Sequence, residues 1–157
     1  MTSLCCEVLE KLKGKTLVTA ESLTGGGIGA ALTAVPGSSE IYQGGVISYT
    51  NWVKQNILGV PSGILETYGA VSSRTAEYMA SGVRRLLQAD LAVSVTGLAG
   101  PGGDEFGNAV GTVFIGYQDD RISKVVACHF TGTREEIRNQ TIQAALRLIL
   151  ENNQDKR

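Results

Sequence analysis

The sequence predicts a single α/β domain, a three-layer α/β/α sandwich around a mixed β-sheet. Three observations carry this. Stretches with helical periodicity alternate along the chain with short β-branched runs, so helices are available to cover both faces of a sheet. Two strand-like runs late in the chain, Ala109 to Tyr117 and Ile122 to Phe130, follow each other directly, which makes part of the sheet antiparallel. The length of 157 residues, with 43% hydrophobic and 18% charged side chains, suits one ordered core spanning residues 1–157.

Each element has a local reason. Leu4, Cys5, Val8, Leu9 and Leu12 recur at helical spacing over residues 3–13, with Thr2 or Ser3 as cap and Gly14 as stop. Thr16 to Ala20 is a short strand, and ESLTGGGIGAALTAV leads through glycines into a small-residue helix that ends near Pro36 and Gly37. Gly45 to Tyr49 predicts a second strand. Asn51 to Leu58 predicts a short helix capped by Thr50 or Asn51 and closed by Gly59. Ser72 or Ser73 caps a helix running to about Gln88, with Arg84 and Arg85 outward and Leu86 and Leu87 inward. Asp90 to Thr96 precedes the two late strands, and Thr133 to Leu150 is a final helix with Ile137, Ile142, Ala145, Leu146 and Ile149 on one side.

Composition narrows the function classes. A formal net charge of -1 offers no global attraction to nucleic acid or to an anionic membrane, and no apolar run reaches membrane-spanning length. A cytoplasmic protein is expected. Cys5, Cys6 and Cys128 form an odd set without a framework, which suits ordinary buried thiols in a reducing compartment. With His129 as the single histidine and no Cys-x-x-Cys, neither a dedicated metal site nor a cofactor is expected.

Two glycine-rich loops follow predicted strands: Ser22-Leu-Thr-Gly-Gly-Gly and Thr96-Gly-Leu-Ala-Gly-Pro-Gly-Gly. In open α/β sheets, ligands collect beyond the carboxyl ends of strands. Gly25, Gly27 and Ala30 formally fit a dinucleotide fingerprint, but the second strand ends Ser48-Tyr49-Thr50-Asn51 without the acidic residue that would hold a ribose. Gly14-Lys15-Thr16 fails as a phosphate loop because it precedes a strand and lacks the first glycine. The first loop is either an oxyanion or phosphate cradle, with Ser22 and Thr24 hydroxyls beside Gly25 and Gly26, or a helix cap in a tight turn. Thr96 and Gly97, opening a loop with five glycines from 97 to 107, favour a site.

Without a spare histidine, serine nucleophile chemistry leaves a Ser-Lys pair. Ser38 and Ser39 behind the Pro36-Gly37 turn either cap a helix or supply the nucleophile, and Lys54 is either a solvated lysine or its base. As base, Lys54 has to be neutral. The dipole of a short helix shifts it by only a fraction of a pKa unit, so burial must do the rest.

TAESLTGG at 19–26, PGSS at 36–39, GGVISYTNWVK at 44–54, AVSSRTAEYMA at 70–80, VTGLAGPGG at 95–103, GTVFIG at 111–116 and GTREEIR at 132–138 together resemble the CinA C-terminal domain family. The resemblance runs from about Thr16 to Ile149. It implies a nicotinamide-nucleotide amidase that hydrolyses nicotinamide mononucleotide to nicotinic acid mononucleotide and ammonia in pyridine nucleotide recycling. It also implies Ser39 as nucleophile, Lys54 as base, and Ser22, Tyr49 and Thr96 as further site positions. Ser22 and nearby amides are then candidates to steady the oxyanion or the lysine. The phosphate would lie against one glycine loop, helped by Arg134 or Arg138. A small nucleotide substrate, a homo-oligomer and a stand-alone domain complete the expectation. The competing class is a catalytically silent nucleotide-binding or regulatory module. Leu23, Trp52-Val53 and Thr133 depart from the family pattern, and none of them is a proposed catalytic residue.

Overall fold

In the computed structural model, which describes residues 1–154, the chain runs α1 (Thr2–Lys11), β1 (Leu17–Glu21), α2 (Gly27–Thr33), a 3-10 turn (Ser38–Glu40), β2 (Tyr42–Ile47), α3 (Asn51–Asn56), α4 (Ser62–Tyr68), α5 (Ser73–Leu87), β3 (Leu91–Gly97), β4 (Thr112–Gln118), β5 (Ser123–His129) and α6 (Arg134–Glu151). The last three residues of the expected domain lie outside the described residues. Among the described residues no helix is long and apolar enough to cross a membrane.

The five strands are ordered β2-β1-β3-β4-β5. β1 pairs in parallel with β2 and β3, while β3-β4 and β4-β5 pair antiparallel, so the sheet is mixed. The short link between β4 and β5 forces that antiparallel half, and the long helical connections permit the parallel one. β1, LVTAE, is buried at every residue because it is a central strand covered on both faces.

Alternation along β1 and β3 divides the core. Leu17, Leu91, Val93 and Val95 pack with α1, α2 and α6, including Val8, Leu12, Ile28, Leu146 and Ile149. Val18, Ala20 and Ala92 face the other way, onto Met79 and Val83 of α5 and onto Leu58, Val60 and Leu65. Helices therefore cover both faces, and the expected three layers are present.

The caps are local. Ser72 accepts from Thr75 N at the start of α5, and Thr133 and Glu136 form a capping box at the start of α6. The family departure at Thr133 thus keeps the capping function. α1 has no side-chain cap, contrary to the expectation for Thr2 or Ser3.

Other expectations need correction. The second strand begins at Tyr42, ahead of the predicted Gly45, because pairing with β1 carries it back to Leu17. α4 has no counterpart in the sequence reading. Leu86 and Leu87 are exposed, although extending the α5 stripe of Ala76, Met79, Ala80 and Val83 predicts them inside. The chain reverses at Gln88, in a left-handed conformation, and buries Ala89 where the next helical turn would have gone. Of the three cysteines only Cys5 is fully buried; Cys6 is exposed.

Candidate functional site

The strand order places the site. From β1 the chain moves to β2 through α2 on one face, then returns across the sheet to β3 through α5 on the other. The connections diverge beyond the carboxyl ends of β1 and β3, where open α/β sheets form crevices. A cleft of about 310 Å³ opens there, with Ser22, Tyr49, Lys54, Thr96, Gly97 and Arg134 among its lining residues.

Lys54 is at its base. The β1–β2 pairing is extended by Ser48 N donating to Glu21 O at 2.7 Å, after which Thr50 caps α3 and turns the chain. One turn of α3 brings Lys54 back under the strand end, where it is 1% exposed. Its Nζ donates to Ser48 O at 2.6 Å, to Ser22 Oγ at 3.0 Å and to Tyr49 O at 3.4 Å. No carboxylate among the described residues forms an ion pair with it. Burial therefore disfavours the ammonium and pushes Lys54 from the ordinary 10.5 down to about 8.

At neutral pH that leaves roughly a tenth of the amine unprotonated, a usable fraction for a base. In the neutral form two N–H bonds remain for the Ser48 and Tyr49 carbonyls, and the lone pair is free to accept from the Ser22 hydroxyl. Ser22 is 7% exposed, and its own N–H is tied to Val95 O on β3.

The pairing differs from the expected one. Ser39 lies exposed in the 3-10 turn before β2, beside the start of β1, where Leu17 N donates to Ile41 O. Lys54 follows the other end of β2. A strand of six residues separates them, roughly 20 Å at about 3.3 Å per residue. Within this chain Ser39 is thus not the partner of Lys54. The sheet brings Ser22 there instead.

The first glycine loop also serves a different purpose. The Thr24 hydroxyl donates to the Glu21 carboxylate at 2.6 Å, and Ile28 N and Gly29 N donate to the same group at 2.8 and 3.1 Å. The start of α2 is occupied by a side chain of its own segment. Gly25 and Gly26 take positive φ to make the turn, and neither they nor Thr24 line the cleft. The cap reading holds for this loop, and Thr24, Gly25 and Gly26 are corrected as direct substrate contacts.

Thr96 and Gly97 do line the cleft. Thr96 Oγ1 donates to Ala70 O at 2.7 Å, which holds the Gly69–Val71 segment against the strand end. A Cβ on Gly97 would lie 2.7 Å from Thr112 O, so β4 leaves no room for a side chain there. The two arginines of α6 separate in role. Arg134 reaches the mouth, donating to Gly100 O at 2.6 Å and to the Tyr49 hydroxyl at 3.2 Å. Arg138 instead straps the first loop through Leu23 O at 2.9 Å and Thr24 O at 3.2 Å. Tyr49 stands 60% exposed at the rim.

Sequence reasoning gave no role to Glu21 or to the Ser48 carbonyl. The quoted TAESLTGG segment contains Glu21, and a carboxylate ending a short, largely apolar strand was the available signal. The Ser48 carbonyl left none, since any residue supplies one.

Fold and site together define an α/β domain with a buried lysine and serine paired at the strand-order reversal. The CinA C-terminal domain model matches residues 2–152, and the chain belongs to that family. It is 55% identical over 115 residues to a CinA-like protein of Synechococcus sp. (strain CC9311), covering 72% of this chain and 27% of that one. It is 48% identical over 139 residues to a CinA-like protein of Rippkaea orientalis, covering 85% and 33%. The chain thus spans about a third of these curated relatives. Among solved structures, competence/damage inducible protein CihA of Agrobacterium tumefaciens superposes with TM-score 0.94 at 37% identity, covering 98% of this chain and 95% of that one. The competence or damage-inducible protein of Enterobacter asburiae gives 0.95 at 32% identity, covering 98% of each.

Proposed function

We propose that the domain is an amidohydrolase using Ser22 as nucleophile and Lys54 as base, with nicotinamide mononucleotide as substrate. The observation that carries the chemistry is the 3.0 Å contact between Ser22 Oγ and a buried Lys54 amine, which has no ion-pair partner among the described residues, at the base of an open cleft. The substrate follows from the family resemblance. Arg134, at the rim, is suited to a phosphate.

Neutral Lys54 takes the Ser22 proton as Oγ attacks the carboxamide carbon. Backbone N–H groups of the loop that follows Gly97 and walls the cleft stabilise the oxyanion. Lys54, now an ammonium, passes its proton to the departing nitrogen. Ammonia leaves and an ester to Ser22 remains. Water then attacks that ester, Lys54 accepts the water proton, and the proton returns to Ser22 Oγ as the carboxylic acid is released.

The test is ammonia release from nicotinamide mononucleotide by wild type, Ser22→Ala and Lys54→Met. Loss in both variants with retained binding is expected. Full turnover in either overturns the assignment. A wild type that binds the nucleotide but never releases ammonia would favour a silent binding module.

A further inference from the structure

Behind Ser22 lies a buried carboxylate that this chemistry leaves unused. Glu21 is 2% exposed and forms no ion pair among the described residues. A carboxylate in that position is unfavourable unless hydrogen bonds satisfy it. They do: Oε1 accepts from Thr24 Oγ1 at 2.6 Å and Ile28 N at 2.8 Å, and Oε2 accepts from Gly29 N at 3.1 Å. Thr19 Oγ1 stands 3.5 Å from Oε2 and shares a 2.6 Å bond with the Tyr42 hydroxyl. A Cβ on Gly29 would lie 2.7 Å from the Tyr42 hydroxyl oxygen.

Both carboxylate oxygens are engaged by donors of the loop and helix start that follow, so the consequence is mechanical. Strand alternation sends Glu21 towards α2 and Ser22 towards the cleft. Glu21 then grips the loop on both sides of its glycines, at Thr24 and at the first turn of α2. Ser22 is held between Glu21 and Thr24, with its N–H on Val95 O at 3.1 Å and its carbonyl on Gly25 N at 3.1 Å.

We infer that Glu21, acting through Thr24, is the positioning residue that keeps the Ser22 hydroxyl on the Lys54 amine. The inference rests on the Ser22–Lys54 reading of the site. Glutamine does not replace Glu21, because its amide NH2 would face either Thr24 and Ile28 or Gly29, donor against donor. Thr24→Val keeps the shape of the side chain and removes the hydroxyl. Thr24→Ser keeps the hydroxyl and removes the methyl group.

The experiment measures kcat and KM for nicotinamide mononucleotide, melting temperature, and the Ser22 Oγ to Lys54 Nζ distance in crystals of Glu21→Gln, Thr24→Val and Thr24→Ser. Glu21→Gln is expected to lower kcat about 10²-fold and Thr24→Val about tenfold, each with KM within about twofold, because displacing a reacting group by about 1 Å has effects of this order. Thr24→Ser restores the rate to within about threefold. A role confined to packing would spare Thr24→Val and penalise Thr24→Ser. Unchanged kcat and an unchanged Ser22–Lys54 distance in Thr24→Val overturn the inference, even where Glu21→Gln does not fold. If wild type itself gives no ammonia, the amidase reading fails while the distance still decides. Opening of the pair in Thr24→Val supports positioning, and an intact pair rejects it.

Discussion

Replacing Lys54 by methionine removes a buried amine while keeping a side chain of similar length, and its effect on stability changes with pH. In the folded protein burial holds Lys54 at about 8, against an ordinary 10.5. Between those values the unfolded chain carries a proton that the native one has lost, so wild-type stability rises with pH. The depression corresponds to about 3 kcal/mol, all of it a penalty on the native state below about pH 8. Lys54→Met escapes that penalty but leaves the Ser48 carbonyl, bound at 2.6 Å in wild type, without its donor, a loss of about 1–3 kcal/mol.

The two effects nearly offset at neutral pH, where the variant is expected close to wild type in stability. By about pH 10.5 wild type gains about 3 kcal/mol relative to the variant. Cys5, Cys128 and Tyr42 have pKa values raised by burial, and their retained protons lower stability as pH rises. They are common to both proteins and cancel in the difference. Urea denaturation of both proteins in steps across this range measures it. A wild-type-minus-variant difference that stays flat, or falls with pH, would refute the buried-amine argument.

Four further outcomes follow from the same geometry. If the neutral amine is the base, kcat/KM should rise about tenfold per pH unit below about 8 and level off above it; a profile that declines through this range contradicts that role. Ser22→Ala should abolish ammonia release while Ser39→Ala, in an exposed turn at the far end of β2, keeps it, and the opposite ranking would restore the sequence-based expectation. Arg134→Ala should raise KM for the nucleotide about tenfold or more, the size of a charge-assisted hydrogen bond, with little change for the dephosphorylated nucleoside. Equal effects on both compounds would remove Arg134 from phosphate recognition. Gly82→Ala on α5 should destabilise by about 1–3 kcal/mol, read as a drop in melting temperature, because a Cβ there collides with the Leu58 carbonyl in the segment that follows α3.

How far the site was legible depends on the kind of information each residue carries. Lys54, Ser22, Tyr49 and Thr96 fall within short motifs, and all four line the cleft. Ser39 was named on the family resemblance; in this chain it lies at the opposite end of β2 from Lys54, and the serine within hydrogen-bond reach of the lysine is Ser22, 32 residues away in sequence. The 15-residue separation of Ser39 and Lys54 includes the extended β2, which carries its two ends apart instead of folding them together. The parallel register of β1 with β2 then brings Glu21 beside Ile47 and so sets Ser22 at the lysine's end of the sheet.

Glycine patterns misled for a related reason. Gly25 and Gly26 do make a turn ahead of a helix, as a phosphate cradle would. Whether that helix start is open to a ligand depends on where the Glu21 side chain points, and it points into the helix start. Arg134 and Arg138, one turn apart on α6, were equivalent candidates in sequence. Only the neighbouring segments distinguish them, with Tyr49 and Gly100 beside the first and the Leu23–Thr24 carbonyls beside the second.

By itself the sequence determined the three layers and the mixed sheet. These follow from periodicity and composition, which act locally or over the whole chain. The tertiary structure decided which serine meets the lysine, which arginine reaches the cleft, and that the lysine is buried with no carboxylate paired to it among the described residues. Those depend on strand direction and register, where non-local backbone pairing places side chains that no local pattern connects.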